Sequence, residues 1–154
     1  MHSVGEDLFA NPPILYSRSE ILSKPYPVPK ERGLYAWFFK EIPPGVPTAE
    51  CVTKDGLTLL YVGISPKNLE SSSNLLHRIK THYTGNAEGS TLRRTLGVLL
   101  EEQCGFPLRR VGSGKRLTFT HLCGGATRRI LLGIRISICF IGELWTLGCW
   151  KSGW

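Results

Sequence analysis

Two short stretches determine how this chain folds: "GLYAW" at 33–37 and "LYVGIS" at 60–65. Each places a tyrosine and a glycine inside an apolar run. The longer runs that contain them, "GLYAWFFK" (33–40) and "LTLLYVGIS" (57–65), are rich in the aromatic and β-branched residues typical of strands. The segment that joins these two runs begins with "EIPPGVPTAE" (41–50), whose prolines exclude regular secondary structure there. The two runs are therefore predicted to be adjacent strands that pair antiparallel.

A first helix is predicted after the second strand, over "NLLHRIKTHY" (74–83). Ser73 is the predicted N-cap. Arg78 and His82 are four residues apart and therefore share one helix face, at the border of the apolar stripe. That stripe covers about 100° of the helix surface and consists of Leu75, Leu76, Ile79 and Tyr83.

A second helix is predicted over "STLRRTLGVLLEEQCG" (90–105). Ser90 has the residue type of an N-cap, and Gly105 that of a helix stop. The helix is amphipathic, and its apolar face consists of Leu92, Leu96, Leu99 and Leu100.

Charge is distributed unevenly along the chain. The 154 residues carry a formal net charge of +7, yet residues 1–76 hold a net −1 and residues 77–154 a net +8. A basic half indicates a face directed at phosphates, as in proteins that bind nucleic acid. The alternative is a solvated basic surface that keeps the protein soluble. Both interpretations are compatible with the charge alone.

The cysteines and apolar segments indicate where the protein is located. Five cysteines occur without a C-x-x-C pair, which supports neither a zinc framework nor a disulfide scaffold. The first residues, "MHSVGEDLFANPP", hold acids and prolines where a signal peptide needs an apolar run. The most apolar segment is interrupted by Arg135 and Glu143 and is too short for a membrane span. We predict a soluble, cytoplasmic protein without a membrane partner.

Composition divides the chain into three parts. Three prolines in "KPYPVPKE" predict an extended lead-in over residues 1–32. Residues 33–118 form one α/β (α+β) domain, in which "PLRRVGSGKRLTFT" (107–120) is a basic strand or hairpin. Residues 119–154 are atypical, because they hold three of the five cysteines, three of the four tryptophans and a single acid. Within them "GIRISICF" alternates as a strand does.

The order of the motifs resembles that of the GIY-YIG nuclease superfamily. The first signature of that family corresponds to Gly33-Leu34-Tyr35 on a predicted strand, and the second to Tyr61-Val62-Gly63 on the next strand. The family's helical arginine corresponds to Arg78 on the helix that follows. The resemblance covers about residues 30–118 and is greatest to small bacterial proteins with this domain. Either tripeptide alone is common in proteins. The two tripeptides in this order, followed by a helix with Arg78 and His82, are a more specific signal of the family. The resemblance implies a small, mainly antiparallel three-stranded sheet flanked by helices.

The resemblance also implies an activity, that of a metal-dependent endonuclease hydrolysing phosphodiester bonds in DNA. Tyr35 is then the general-base candidate and Tyr61 an assisting group, since a phenol can orient or deprotonate water. Arg78 offers fixed donors to the phosphate, and His82 can assist proton transfer. A single Mg²⁺ or Mn²⁺, held by a carboxylate and waters, would stabilise the leaving oxygen.

Each of these residues also has a purely structural interpretation. Tyr35 and Tyr61 can be aromatic core residues with a bonded hydroxyl, Arg78 a solvated helix residue, and His82 a histidine on the helix surface. Four further residues are predicted to bind substrate. Gly63 would let the substrate approach the backbone closely, because glycine has no side chain. The other three are basic residues that could contact phosphates: Lys67, Lys115 and Arg116.

The family's metal-binding glutamate, which comes from a later helix, has no clear counterpart. The candidate is Glu143, 65 residues after Arg78 and outside any acidic helical pattern. One hypothesis is that residues from about 120 onward have diverged or are translated from a shifted frame, which translating the other two frames of the gene would test. If the metal site is degenerate, the protein is a non-catalytic nucleic-acid-binding module. A third alternative is a structural or partner-binding domain that uses its tryptophans.

Overall fold

A five-stranded antiparallel sheet organises the chain. The structure is a computed structural model and describes residues 9–12, 14–68, 70–84, 87–104, 109–111, 116–118, 133 and 135–140. In spatial order the strands are β1 (Tyr16–Ser17), β7 (Arg135–Phe140), β2 (Gly33–Phe39), β4 (Leu57–Ser65) and β3 (Thr53–Lys54). A separate antiparallel pair consists of β5 (Arg109–Val111) and β6 (Arg116–Thr118), which confirms the predicted basic hairpin.

The helices are short and lie between the strands in sequence. They are α1 (Arg18–Leu22), α2 (Leu75–Thr84), a 3₁₀ turn (Ala87–Gly89), α3 (Thr91–Leu99) and α4 (Glu101–Cys104). Together with the sheet they confirm the predicted α+β class. No helix in the described part of the chain is long and apolar enough to cross a membrane.

The predicted antiparallel pair forms the centre of the sheet. β2 and β4 pair along their lengths, and the register places Tyr35 opposite Gly63 and Ala36 opposite Val62. The register shifts by one residue after Trp37, at a β-bulge. β7 pairs with the other edge of β2, so the three long strands are the predicted three-stranded sheet. The two-residue strands β1 and β3 extend it to five.

The predicted parts at both ends of the chain contribute to this one sheet. β7 comes from the atypical segment 119–154 and confirms the strand predicted there. The lead-in over residues 1–32 is not extended throughout, since β1 pairs with β7 and α1 follows it. Ser17 and Glu20 explain this difference, because they form a capping box: the Glu20 N–H donates to Ser17 Oγ at 3.3 Å, and the Ser17 N–H donates to Glu20 Oε2 at 2.7 Å.

Helix boundaries differ slightly from those expected. α2 is capped by Asn74 rather than Ser73, because the His77 N–H donates to Asn74 Oδ1 at 2.9 Å. Ser90 caps α3 as predicted, with its hydroxyl accepting from the Arg93 N–H. The single helix predicted over 90–105 is divided at Leu100, where α3 ends and α4 begins.

The core lies between α2 and one face of β2 and β4. β2 supplies Tyr35, Trp37 and Phe39, which alternate along the strand and point to the same face. The predicted stripe of α2 is buried against them, and α3 covers the end of the same cluster through Leu92, Leu96 and Leu100. α2 therefore presents its neighbouring side chains, Arg78 and His82, at the edge of this core.

Candidate active site

Four residues predicted to be catalytic lie together where α2 meets the sheet. Tyr35 comes from β2, Tyr61 from β4, and Arg78 and His82 from α2. Because Tyr35 is paired with Gly63, Tyr61 lies two residues along β4 on the same face of the sheet. The centroids of the two phenol rings are 6.3 Å apart. The sequence prediction that both tyrosines face one site agrees with this arrangement.

His82 occupies the centre of the cluster. Its ring centroid is 5.6 Å from that of Tyr35, 5.7 Å from that of Tyr61 and 5.4 Å from that of Trp37. The side chain is fully buried. The alternative that His82 lies on the helix surface is therefore wrong. Three aromatic rings cover the face of α2 that the sequence placed at the edge of the apolar stripe.

Both ring nitrogens of His82 are hydrogen-bonded. Nε2 lies 2.9 Å from Tyr35 Oη, and Nδ1 lies 2.7 Å from Ser90 Oγ. A neutral imidazole has one donor and one acceptor nitrogen, so one of these hydroxyls donates to the ring and the other accepts from it. Ser90 also accepts the Arg93 N–H at 3.1 Å. The described structure thus adds to the site a residue, Ser90, that sequence reasoning recognised only as a helix cap.

α3 holds Ser90 in place against α2. Arg93 Nη1 donates to the carbonyl oxygen of Tyr83 at 3.1 Å, near the C-terminal end of α2. A basic side chain is favourable at such a position, because the last carbonyls of a helix have no partner within it. The start of α3 and the end of α2 are therefore joined around the His82–Ser90 pair.

Burial keeps the central pair uncharged. Burial, with the positive charges of Arg78 and Arg93 adding to it, lowers the pKa of His82 to about 3. Burial also raises the pKa of Tyr35 to about 12, although a hydrogen bond from Arg78 acts in the opposite direction. At neutral pH the imidazole and the phenol are both neutral, so their hydrogen bond joins two uncharged groups.

Arg78 lies at the more open side of the cluster. It is partly exposed, and its Nη1 donates to the carbonyl oxygen of Gly89 in the 3₁₀ turn at 2.8 Å. Its positive charge also acts on the Tyr35 hydroxyl. A guanidinium has five N–H donors in a fixed geometry, so the bond to Gly89 positions the group and leaves donors for a phosphate.

Gly63 provides the space that Tyr35 occupies. A Cβ atom added at Gly63 would lie 2.7 Å from Cε2 of Tyr35 and still closer to its Cζ and Oη atoms. Sequence reasoning predicted that Gly63 allows the substrate to approach the backbone. In the structure the phenol of Tyr35 fills this position. The glycine of the second motif is thus needed to accommodate the tyrosine of the first.

The remaining predicted site residues are not part of this cluster. Lys67 is exposed in the loop that follows β4, and Arg116 lies at the start of β6. Lys115 and Glu143 lie outside the described residues. Within the described ranges, no group of three or more His, Cys, Asp or Glu residues could hold a metal ion.

Comparison with known proteins agrees with this geometry. The family model described as "GIY-YIG catalytic domain" matches residues 33–123, which is more than half of the chain. The chain belongs to the GIY-YIG nuclease superfamily. No curated protein and no solved structure matches it. Membership of a nuclease family implies a nucleic acid as substrate.

The packing of Tyr35 over Gly63 predicts the effect of Gly63→Ala. The added methyl group has to displace the phenol, so we expect a loss of about 1–3 kcal/mol in the free energy of unfolding, as for other overpacked sites. Gly89→Ala is the matched control, since its Cβ would make only an ordinary contact of 3.5 Å with Thr81. Urea denaturation of both variants measures the difference. Equal stabilities would contradict the packing described here.

Burial of His82 predicts a dependence of stability on pH. The folded-state pKa is below the unfolded value, so its contribution to stability is complete above about pH 6.5 and is lost as pH falls towards 3. Below pH 6 the slope should approach about 1.4 kcal/mol per pH unit, the value for one proton. His82→Gln should reduce this slope. His77→Gln, at an exposed position of the same helix, should keep it. Urea denaturation from pH 7 to pH 4 tests both, and an unchanged slope in His82→Gln would refute the expectation.

Proposed function

We propose that this protein is a metal-dependent endonuclease that hydrolyses phosphodiester bonds in DNA. The observation that carries the proposal is that Tyr35, Tyr61, Arg78 and His82 come from three separate elements and lie in one cluster. Aromatic core packing alone needs neither the buried histidine nor the arginine beside it. A phenol, a guanidinium and a neutral imidazole together can orient a water molecule, bind a phosphate and support proton transfer.

We assign the contact with the attacking water to Tyr61 and a positioning role to Tyr35. Tyr35 is only 1% exposed, and its pKa of about 12 keeps it protonated at neutral pH. A general base has to come within hydrogen-bond reach of the water whose proton it takes. Tyr61 is partly exposed and therefore better placed for this contact. This assignment reverses the roles of the two tyrosines that the resemblance implied.

The hydrogen bonds around His82 can all point towards Tyr61. If Ser90 donates to Nδ1 of His82, Nε2 carries the proton and donates to Tyr35 Oη. The Tyr35 hydroxyl hydrogen then points away from His82 and can be directed towards Tyr61, whose ring centroid lies 6.3 Å from that of Tyr35. Donors directed along such a chain strengthen one another. They would stabilise negative charge that develops on the Tyr61 oxygen as it takes a proton from water.

Arg78 acts on the other side of the reaction. Its guanidinium would donate to the non-bridging oxygens of the scissile phosphate, where negative charge increases in the transition state. The bond to Gly89 fixes its orientation before substrate binds. Members of this family generally depend on a divalent metal. We propose that Glu143 would be the carboxylate ligand of Mg²⁺ or Mn²⁺, which when bound would stabilise charge at the leaving oxygen.

The role of Arg78 is tested by nicking of supercoiled plasmid with Mg²⁺ or Mn²⁺ present. Arg78→Ala should reduce the nicking rate by about 10²–10³-fold, the usual effect of removing a donor to transition-state charge. Arg94→Ala is the matched control, because it removes an exposed arginine from α3 and should nick as the wild type does. If folded wild-type protein binds DNA but does not nick it, the non-catalytic binding module is correct instead.

The direction of the hydrogen-bond chain predicts the effect of Ser90→Ala. The variant loses the hydrogen bond between Ser90 and His82, which is worth about 1 kcal/mol, so plasmid nicking should slow about three- to tenfold. The pH at which the nicking rate is half-maximal should rise. Ser17→Ala also removes a helix cap, but in α1, and is the control for lost stability. Ser90→Thr, which keeps the hydroxyl, should restore the pH profile. If the pH–rate profile of Ser90→Ala does not shift, the proposed chain of hydrogen bonds is wrong.

A further inference from the structure

A basic groove lies between α2 and the segment that precedes β2. Its volume is about 610 Å³, and its lining includes Lys24, Tyr26 and Lys30 on one side and His77, Lys80 and Thr81 on the other. None of the described residues that line it is an aspartate or glutamate. No sequence motif indicates this groove, and the proposed catalytic cluster uses none of these side chains.

Lys80 is held in a fixed position at this groove. Its Nζ lies 4.6 Å from the ring centroid of Tyr26 and 3.3 Å from the Tyr26 hydroxyl oxygen. A cation over an aromatic ring is attracted by the negative face of the ring, which favours this position of the ammonium group. Lys24 and Lys30 are exposed. The groove therefore combines one ammonium group held by Tyr26 with two exposed ones, an arrangement suited to a polyanion.

The groove and the proposed active site are on adjacent sides of the same helix. His77, Lys80 and Thr81 follow the i, i+3, i+4 spacing and form one stripe of α2. Arg78 and His82 each lie one residue after a member of this stripe, which places them about 100° further around the helix. A helix with its side chains is about 10–12 Å across, and B-DNA advances about 3.4 Å per nucleotide. A phosphate at Arg78 and one in the groove would therefore lie less than one helix width apart, within a few nucleotides of each other.

We propose that this groove binds the phosphodiester backbone of a nucleic acid beside the bond that is cut. Binding of the backbone follows from the positive charge and the lack of carboxylates in the lining. Its position relative to the cut bond rests on the proposed function. Contacts to the backbone fix the register of a nucleic acid without reading its sequence. The groove would thus supply affinity and orientation, while Arg78 contacts the scissile phosphate.

The test is a titration of fluorescein-labelled duplex DNA, followed by anisotropy at several salt concentrations in EDTA. Removing divalent cations separates binding from catalysis. The groove variant is Lys24→Gln with Lys30→Gln, and the control, Lys40→Gln with Lys54→Gln, removes the same charge outside the groove. Each lost phosphate contact lowers the slope of log K against log salt by about 0.9. We expect the groove variant to bind at least tenfold more weakly at 0.1 M salt, with a slope lower by about two.

Several outcomes would overturn the proposal. Equal losses in both variants would show that only net charge matters. Unchanged binding in the groove variant would show that the lysines do not contact DNA. Calorimetric binding of inorganic phosphate to wild type but not to the groove variant, with equal DNA affinities, would make the groove a site for small anions. Circular dichroism establishes that each variant is folded.

Plasmid nicking in parallel distinguishes this proposal from the proposed function. If the groove variant loses DNA affinity while neither it nor the wild type nicks, the backbone groove stands and the nuclease proposal fails. If the wild type nicks and the groove variant binds as the control does, the nuclease proposal stands and the groove fails.

Discussion

The packing of the Tyr35 phenol across Gly63 is the contact on which the rest of the site depends. Antiparallel pairing puts these two residues opposite each other, and the absence of a side chain at one position makes room for the ring of the other. The hydroxyl thereby reaches Nε2 of His82. Without this contact the ring would have to tilt away from the sheet, and the histidine would lose one of its two partners. The polar cluster can therefore assemble only if β2 and β4 pair in this register.

Ser90 extends this dependence to the second half of the domain. The same oxygen caps α3 and bonds the ring of His82, so the position of α3 and the orientation of the imidazole are coupled. Buried polar groups are costly unless they are fully bonded, and here both ring nitrogens have partners. A single buried network thus orders β2, α2 and α3 relative to one another. Stability and the proposed chemistry rely on the same few hydrogen bonds.

The sequence was sufficient to predict the class of fold, the central strand pair, the stripe of α2 and the strand at 135–140. It also suggested that two tyrosines on neighbouring strands can point into one cleft, and the motif order pointed to the same site. It could not reveal that His82 is buried, since only the packing of α2 against Trp37 and the tyrosines covers that face. The second role of Ser90 was equally inaccessible, because it depends on the angle between α2 and α3. The α1 capping box was visible as Ser17 and Glu20, but the prolines that follow favoured an extended interpretation.

The position of β7 has a consequence for how the protein is made. β2 is buried along almost its whole length, and its partner on one side, β7, lies about a hundred residues later in the chain. During synthesis on the ribosome, β2 and β4 can pair early, but the other edge of β2 stays open until residues 135–140 emerge. β1 is synthesised before β2, and its only strand partner in the described sheet is β7. The delay between the synthesis of β1 and its pairing is therefore longer still. Such an apolar unpaired edge is where nascent chains associate wrongly. The interval before β7 is synthesised is thus the period in which this edge of β2 lacks its strand partner.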